Sequence, residues 1–281
     1  MREPTTQLAV LGSPVAHSLS PLLHSSAYRL LGLDWRYTAI EVTEAMLPEF
    51  VASRDASWRG LSLTMPLKRA IGPLLDTHDS PSALLGVTNT VLFDGSRQHG
   101  FNTDVAGIVG ALTSHGVTAC HTVDLIGAGA TASSALLACA DLGARHITAW
   151  VRTPGSEAEL RQLADHIGMT FSAQPLAECG AGRTPGSLVV STVPGGTELP
   201  SFPQAEPGEV FFDVAYDPWP TPAAARWTQD GGVVISGIHM LIHQAVRQIR
   251  IFVSGCADQA LPDEDAVLAT LRAAVPQFTS R

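Results

Sequence analysis

The sequence predicts an α/β fold built on two sheets, and three observations carry that prediction. The N-terminal third alternates short apolar runs with amphipathic stretches in a β-α-β-α-β rhythm. A second β-α-β unit, wrapped around a glycine turn, begins at Thr122. The chain has 281 residues, 45% of them apolar, enough material for two packed cores and too apolar for a mainly disordered protein.

Residues 8–11 form a short apolar run ending at Gly12, as a buried strand opening into a ligand-facing loop would. Ser20 before Pro21 fits an N-cap with proline at the first helical position. Leu22, Leu23, Ala27, Leu30 and Leu31 give that helix its apolar stripe, and Gly32 stops it. Residues 35–42 alternate like a strand, 47–53 read as a helix, and 60–64 as another strand. The chain enters a helix around 102–104, with Val105, Ile108, Val109 and Leu112 on one face and Gly116 at its end. Strand 122–126, helix 132–142 and strand 146–151 make the second unit, and 187–193, 209–215 and 233–235 read as three further strands. A long helix over about 238–253 repeats its apolar positions, Ile238, Leu241, Ile242, Ala245, Val246, Ile249 and Phe252, at helical spacing. The Pro- and Gly-rich pieces at 194–208 and 217–222 read as ordered loops.

Charge and patterning narrow the function classes. With 17 basic and 26 acidic side chains the formal charge is -9, so no domain-wide basic surface exists to neutralise a phosphate backbone, and nucleic acid is not an expected partner. No run approaches the roughly 18 to 20 apolar residues of a membrane span, and the N-terminal M-R-E-P-T-T-Q lacks a signal core. A cytoplasmic protein without a membrane partner is expected. Cys120, Cys139, Cys179 and Cys256 are scattered without C-x-x-C spacing and read as reduced thiols.

The run Gly127-Ala128-Gly129-Ala130-Thr131-Ala132 is G-x-G-x-x-A between a predicted strand and a predicted helix. The first glycine allows a tight turn, the second lets a pyrophosphate approach the backbone, and the small last residue lets helix and strand pack closely. Free N–H groups and the positive end of the helix dipole then hold phosphates. A glycine turn used only for packing is the alternative. At the end of the next strand an acidic residue would bond the ribose 2′-hydroxyl of NAD, whereas an arginine accommodates a 2′-phosphate. That strand ends Val151-Arg152-Thr153, so NADP is expected.

The loop from Gly12 to His24 holds Ser18 and Ser20, two hydroxyls at the positive end of a helix that can donate to a small carboxylate; alternatively Ser20 only caps the helix and Ser18 is solvated. Further on stand Thr64-Met65-Pro66-Leu67-Lys68, Gly86-Val87-Thr88-Asn89-Thr90 and Asn102-Thr103-Asp104. Singly, such a lysine is a surface charge and such an Asn or Asp a helix cap. Together the motifs resemble the shikimate dehydrogenase family, in its actinobacterial form, over nearly the whole chain. Its pattern G-x-P-x-x-H-S-x-S-P-x-x-H is matched from Gly12 to His24, T-x-P-x-K from Thr64 to Lys68, N-T at Asn89 and Thr90, and N-T-D-x-x-G from Asn102 to Gly107. The stretches from Asp213 to Pro222 and from Gly237 to Ala245 match as well.

The resemblance implies reversible reduction of 3-dehydroshikimate to shikimate with NADPH, in the shikimate pathway of aromatic amino acid biosynthesis. It implies an N-terminal α/β substrate domain (1–104), a Rossmann-type NADP-binding domain (105–236) and a C-terminal helical segment (237–281) that returns to the first domain. By motif position Lys68 and Asp104 would be the catalytic pair, and Ser18 and Ser20 would hold the substrate carboxylate. Thr64, Asn89, Tyr216 and Gln244, with Asp104, would line the ring and its hydroxyls. Gly127, Ala128, Gly129, Ala130 and Thr131, with Val151, Arg152 and Thr153, would contact NADP, and Val214, Gly237 and Met240 would lie near the nicotinamide. Direct hydride transfer needs no metal. A monomer or homodimer is expected.

Four segments depart from the family pattern. Ser62 replaces an Asn, Ala130-Thr131 replaces Gly-Ala, Val151 replaces an Asn, and Ser191-Thr192-Val193-Pro194 stands where N-A-T-S is common. With no second basic residue over 154–156, a weaker grip on the 2′-phosphate is expected. His239 and His243 have a metal-ligand spacing but no third ligand and no H-E-x-x-H glutamate, so no metal site is expected. The rival readings are a quinate/shikimate dehydrogenase using NAD or both cofactors, and a non-catalytic NADP-binding sensor on the same scaffold.

Overall fold

In the computed structural model, which describes residues 6–199 and 201–275, the N-terminal apolar run is strand β1 (Thr6–Gly12). The chain continues through α1 (Ser20–Leu30), β2 (Trp35–Glu41), α2 (Leu47–Ala52) and β3 (Trp58–Leu63). Then come α3 (Leu67–Ala70), β4 (Thr77–His78), α4 (Ser80–Leu85), β5 (Thr90–Asp94) and β6 (Arg97–Phe101). The six strands form one sheet in the order β2-β1-β3-β5-β6-β4. β1 lies between β2 and β3, parallel to both, and its Leu8, Ala9, Val10 and Leu11 are all buried, the continuous apolar run of a strand covered on both faces. Under one face, Leu11, Leu47, Leu61, Leu67 and Ile71 pack in a single core. Each such side chain contributes about 1.5–3 kcal/mol of burial.

α5 (Asp104–Thr113) leads to β7 (Thr122–Ile126), α6 (Ala130–Asp141), β8 (His146–Val151), α7 (Ala158–His166) and β9 (Thr170–Pro175). β10 (Leu188–Ser191), β11 (Val210–Asp213), α8 (Pro222–Gln229) and β12 (Val233–Ser236) complete a second sheet in the order β12-β11-β10-β7-β8-β9. All its pairings are parallel. Counted from β7, that is the 3-2-1-4-5-6 order of the doubly wound dinucleotide fold, with its reversal between β7 and β10. α9 (Gly237–Ser254) and α10 (Glu264–Ala274) end the described chain.

Two compact units result, one running to Thr103 and resuming at Leu241, the other Asp104–Met240, so α9 starts in the second unit and passes into the first. β10 and β11 are shorter than the apolar runs that predict them, because Thr192, Val193, Val214 and Ala215 leave the sheet as loop. The β5–β6 hairpin, turned at Gly95-Ser96, together with α3, β4, α4, α7, β9, α8 and α10, adds elements that the sequence reading does not name. Among the described residues, no helix is long and apolar enough to cross a membrane.

Candidate active site

In the first unit, β1 and β3 are adjacent and parallel, so the loops after them leave the same sheet edge. They are pressed together: the Thr64 N–H donates to the Leu11 carbonyl at 2.9 Å, and the Ser13 N–H to the Met65 carbonyl at 3.0 Å. A Cβ on Gly12 would overlap the Thr64 side chain, which makes glycine the residue that fits there. The first loop delivers half-buried Ser18 and buried Ser20. Ser20 is not the N-cap that the sequence suggests. It is already helical, Leu19 takes the cap position without a side-chain cap, and the Ser18 hydroxyl oxygen accepts the Ser20 N–H at 3.3 Å. Released from capping, the Ser20 side chain stands beside the hydroxyl of buried Tyr37.

The second loop delivers Thr64 and, on α3, Lys68, both half-buried. The backbone draws Asn89 to the same place, since the Lys68 carbonyl accepts the Thr88 N–H and the Asn89 carbonyl the Leu63 N–H, each at 2.8 Å. Asn89 is 1% exposed. Its Oδ1 accepts from the Thr103 N–H at 2.8 Å and from the Thr90 hydroxyl at 2.9 Å. Its Nδ2 donates to Thr103 Oγ1 at 2.9 Å and to Gln244 Oε1 at 3.4 Å, so α9 supplies a group 155 residues away in sequence. Asp104, fully buried, directly follows Thr103 and opens α5. Behind these groups His24 is entirely buried; burial, partly offset by its bond to Gln248, lowers its pKa to about 3 and leaves it neutral.

The second unit builds its edge from backbone. Gly127 follows β7 with φ +105°, donates its N–H to the Trp150 carbonyl at 3.0 Å, and would meet Thr192 if it carried a Cβ. Thr192 follows β10, so the turn sits at the reversal of strand order. Gly129 is exposed, a Cβ there would meet nothing within 4 Å, and the helix it begins has no side-chain cap. An open glycine before uncapped helix N–H groups fits a pyrophosphate. α6 starts at Ala130, two residues ahead of the predicted start, which places Ala130 and Thr131 in its first turn. Val151 is buried, whereas Arg152 and Thr153 stand exposed beyond it. A Cβ on Gly237 would overlap the Val214 carbonyl, and Met240 is buried one turn later. The loop bearing Val214 and Tyr216 is anchored by buried Asp213, which accepts from the Thr221 hydroxyl at 2.7 Å and the Ala215 N–H at 3.1 Å. Burial, with Asp217 nearby, pushes the Tyr216 hydroxyl above its ordinary range.

The profile of the shikimate dehydrogenase substrate binding domain matches residues 10–91. A shikimate dehydrogenase (NADP(+)) from Synechococcus sp. (strain JA-2-3B'a(2-13)) is 32% identical over 268 residues, covering 89% of this chain and 91% of the relative. The chain belongs to the shikimate dehydrogenase family. Among solved shikimate dehydrogenases, that of Mycobacterium tuberculosis is 36% identical, with a TM-score of 0.81 over 96% of this chain and 100% of that one. That of Thermus thermophilus, solved in complex with NADP(H) and shikimate, is 30% identical with a TM-score of 0.79, over 96% and 100% of the two chains.

Of the residues matched to shikimate dehydrogenase motifs, the first unit holds Ser18, Ser20, Thr64, Lys68, Asn89 and Gln244. The second holds Asp104, Tyr216, Val214, Gly237, Met240, the Gly127 turn and the segment from Val151 to Thr153. Sequence reasoning missed the groups behind them: Tyr37, Thr90 and Gln248, which lie outside the motif roles, and Asp213, whose signal was its place in the matched stretch from Asp213 to Pro222.

Proposed function

We infer that the protein is an NADP-dependent shikimate dehydrogenase, reversibly reducing 3-dehydroshikimate to shikimate. The observation that carries this reading is the buried Asn89 assembly, which joins the Thr64–Lys68 loop to Gln244 and offers amide and hydroxyl groups to a small polyol. The open Gly129 turn supports a dinucleotide in the other unit.

On this reading the first unit binds the substrate. Ser18 and Ser20 hold its carboxylate by neutral donors, and Thr64, Asn89, Tyr216 and Gln244 recognise its hydroxyls. The Lys68 ammonium stabilises the negative charge that grows on the carbonyl oxygen and delivers a proton to it; in reverse, the neutral amine removes the hydroxyl proton. The Asp104 carboxylate orients Lys68 and the reacting hydroxyl. The cofactor would be held by Gly127, Ala128, Gly129, Ala130 and Thr131 at its pyrophosphate, by Val151, Arg152 and Thr153 at its adenosine end, and by Val214, Gly237 and Met240 at its nicotinamide. Bound there, the cofactor would supply a hydride as NADPH and accept one as NADP+.

Absorbance at 340 nm, with shikimate or quinate against NADP or NAD, tests the reading. The expected result is a kcat/KM for shikimate with NADP above every other combination. Preference for quinate or NAD would move the protein to the rival dehydrogenase, and NADPH binding without turnover would make it a sensor.

A further inference from the structure

α9 presents a second glutamine one helical turn beyond Gln244. Gln248 is buried at the junction of α1, β2, β3 and β5, in a polar cluster without a charged member. Its Oε1 accepts from the Ser62 hydroxyl at 3.0 Å, and Ser62 in turn accepts from the Tyr37 hydroxyl at 2.7 Å. Ser20 stands beside the Tyr37 hydroxyl. The same Oε1 lies 3.1 Å from His24 Nε2. An amide oxygen only accepts, so His24 donates from Nε2, and its Nδ1 accepts the Tyr28 hydroxyl at 2.9 Å, which is the neutral imidazole's single consistent pattern. On its other side, Gln248 Nε2 donates to Thr90 Oγ1 at 3.1 Å, and Thr90 donates to Asn89 Oδ1 at 2.9 Å. The amide orientation is fixed from both sides. His24 also stacks on Tyr37, their rings 4.0 Å apart.

Tyr37, Ser62, His24, Gln248 and Thr90 each direct a donor to an acceptor in a buried interior, where a lost partner leaves another group unsatisfied and free to reorient. The chain ends at Asn89 on one side and, on the other, at the Tyr37 hydroxyl against which Ser20 stands; Ser20 and Asn89 are side chains assigned above to the substrate. We propose that Gln248 is a positioning residue of the substrate site, fixing the Asn89 amide through Thr90 and, through Ser62, the Tyr37 hydroxyl that Ser20 packs against. Ser62 is its matched partner: a hydroxyl is short enough to bridge Tyr37 and Gln248, at a position where the family pattern carries a longer Asn. The proposal rests on the shikimate dehydrogenase reading and adds to it the residue that sets the geometry of two substrate contacts.

Steady-state kinetics of Gln248→Leu and Gln248→Glu with shikimate and NADP, alongside melting curves, test it. Gln248→Leu keeps the volume and loses both hydrogen-bonding ends; its KM for shikimate should rise on the order of tenfold or more, while its KM for NADP stays within about twofold. Gln248→Glu supplies the donor only when protonated, so its deficit relative to wild type should shrink as pH falls from 8 to 6. The titratable neighbours are silent there. Burial holds His24 neutral on α1 and pushes the Tyr28 and Tyr37 hydroxyls up, and Arg59 of β3 is turned to the Phe252 carbonyl, to which its Nε donates at 2.7 Å. If Gln248→Leu does not fold, Ser62→Ala removes one link and should raise the shikimate KM about threefold to fivefold. A shikimate KM within twofold of wild type in a folded variant, or equal rises for both ligands, overturns the proposal. A wild-type enzyme inert toward shikimate overturns the functional reading and this proposal together.

Discussion

On the proposed function the two units would meet their ligands with opposite materials. The first would present side chains, with Asn89 held by Thr90, Thr103 and Gln244 and Ser20 set beside Tyr37. The second would present main chain, with Gly129 open before uncapped helix N–H groups and Gly127 and Gly237 allowing close approach of backbone; Arg152 and Thr153 stand exposed after β8. The difference follows from the ligands. A small polyol is told from its relatives by donors and acceptors at fixed positions, whereas a pyrophosphate asks for dipoles and an absence of Cβ atoms. The first unit is therefore vulnerable to loss of functional groups and the second to added bulk.

The largest expected effect belongs to Lys68, the side chain proposed to do the chemistry. Lys68→Ala should lower kcat by about 10² to 10⁴, with a much smaller change in KM, because proton transfer and charge stabilisation matter in the transition state more than in the bound ground state. An unchanged kcat would remove Lys68 from the mechanism and leave the first unit a binding surface only.

Next is a pH effect that the first unit carries through a buried side chain. His24 has a folded pKa of about 3 against an unfolded 6.5. The unfolded chain binds the extra proton between those values, so the stability from the neutral imidazole is full above pH 6.5 and is lost as pH falls toward 3. At about 1.4 kcal/mol per pH unit, the loss at pH 5 is about 2 kcal/mol. Urea melts at pH 7 and 5 should show it in wild type and not in His24→Gln, and parallel losses in both would place the acid sensitivity elsewhere.

Two glycines test the second unit's material directly. Gly129→Ala puts a methyl into open space, so the melting temperature should hold while NADP binding, followed by NADPH fluorescence, weakens about tenfold. Gly237→Ala drives the same methyl into the Val214 carbonyl, and there stability itself should fall by about 1–3 kcal/mol. Equal melting curves for both variants would mean that the backbone near Val214 yields.

What could be read in advance divides along the same line. Gly127 and Gly129 were legible because a backbone site depends on local order: strand, turn and helix are adjacent in sequence, and glycine is chosen by sterics that any chain obeys. The strands β7 and β8 were legible at both ends for the same reason. Ser20 shows the limit. Local chemistry makes a serine before a proline a cap, whereas in the structure the helix begins one residue earlier and buried Ser20 faces Tyr37 of β2 instead. Gln248 reads as a polar interruption in an amphipathic helix, since its partners Ser62 and Thr90 lie 186 and 158 residues away. A side-chain network is a property of the folded core, and no spacing along the chain encodes it.

The smallest effect concerns Arg152, the charged side chain that the second unit sets at the end of β8. It stands exposed, just past buried Val151, so its attraction for a 2′-phosphate is screened by water and salt. An exposed pair of this kind is worth at most about 1 kcal/mol, and Arg152→Gln should therefore cost about fivefold or less in kcat/KM for NADP. NAD lacks the phosphate, so the loss should fall on NADP, and the preference ratio should drop by the same factor. Raising the ionic strength should narrow the gap between wild type and variant, because salt weakens a bare charge contact more than it weakens the glycine turn. A drop of a hundredfold or more would mean that the second unit recognises its ligand by a desolvated side chain after all, and the contrast between the two units would have to be redrawn.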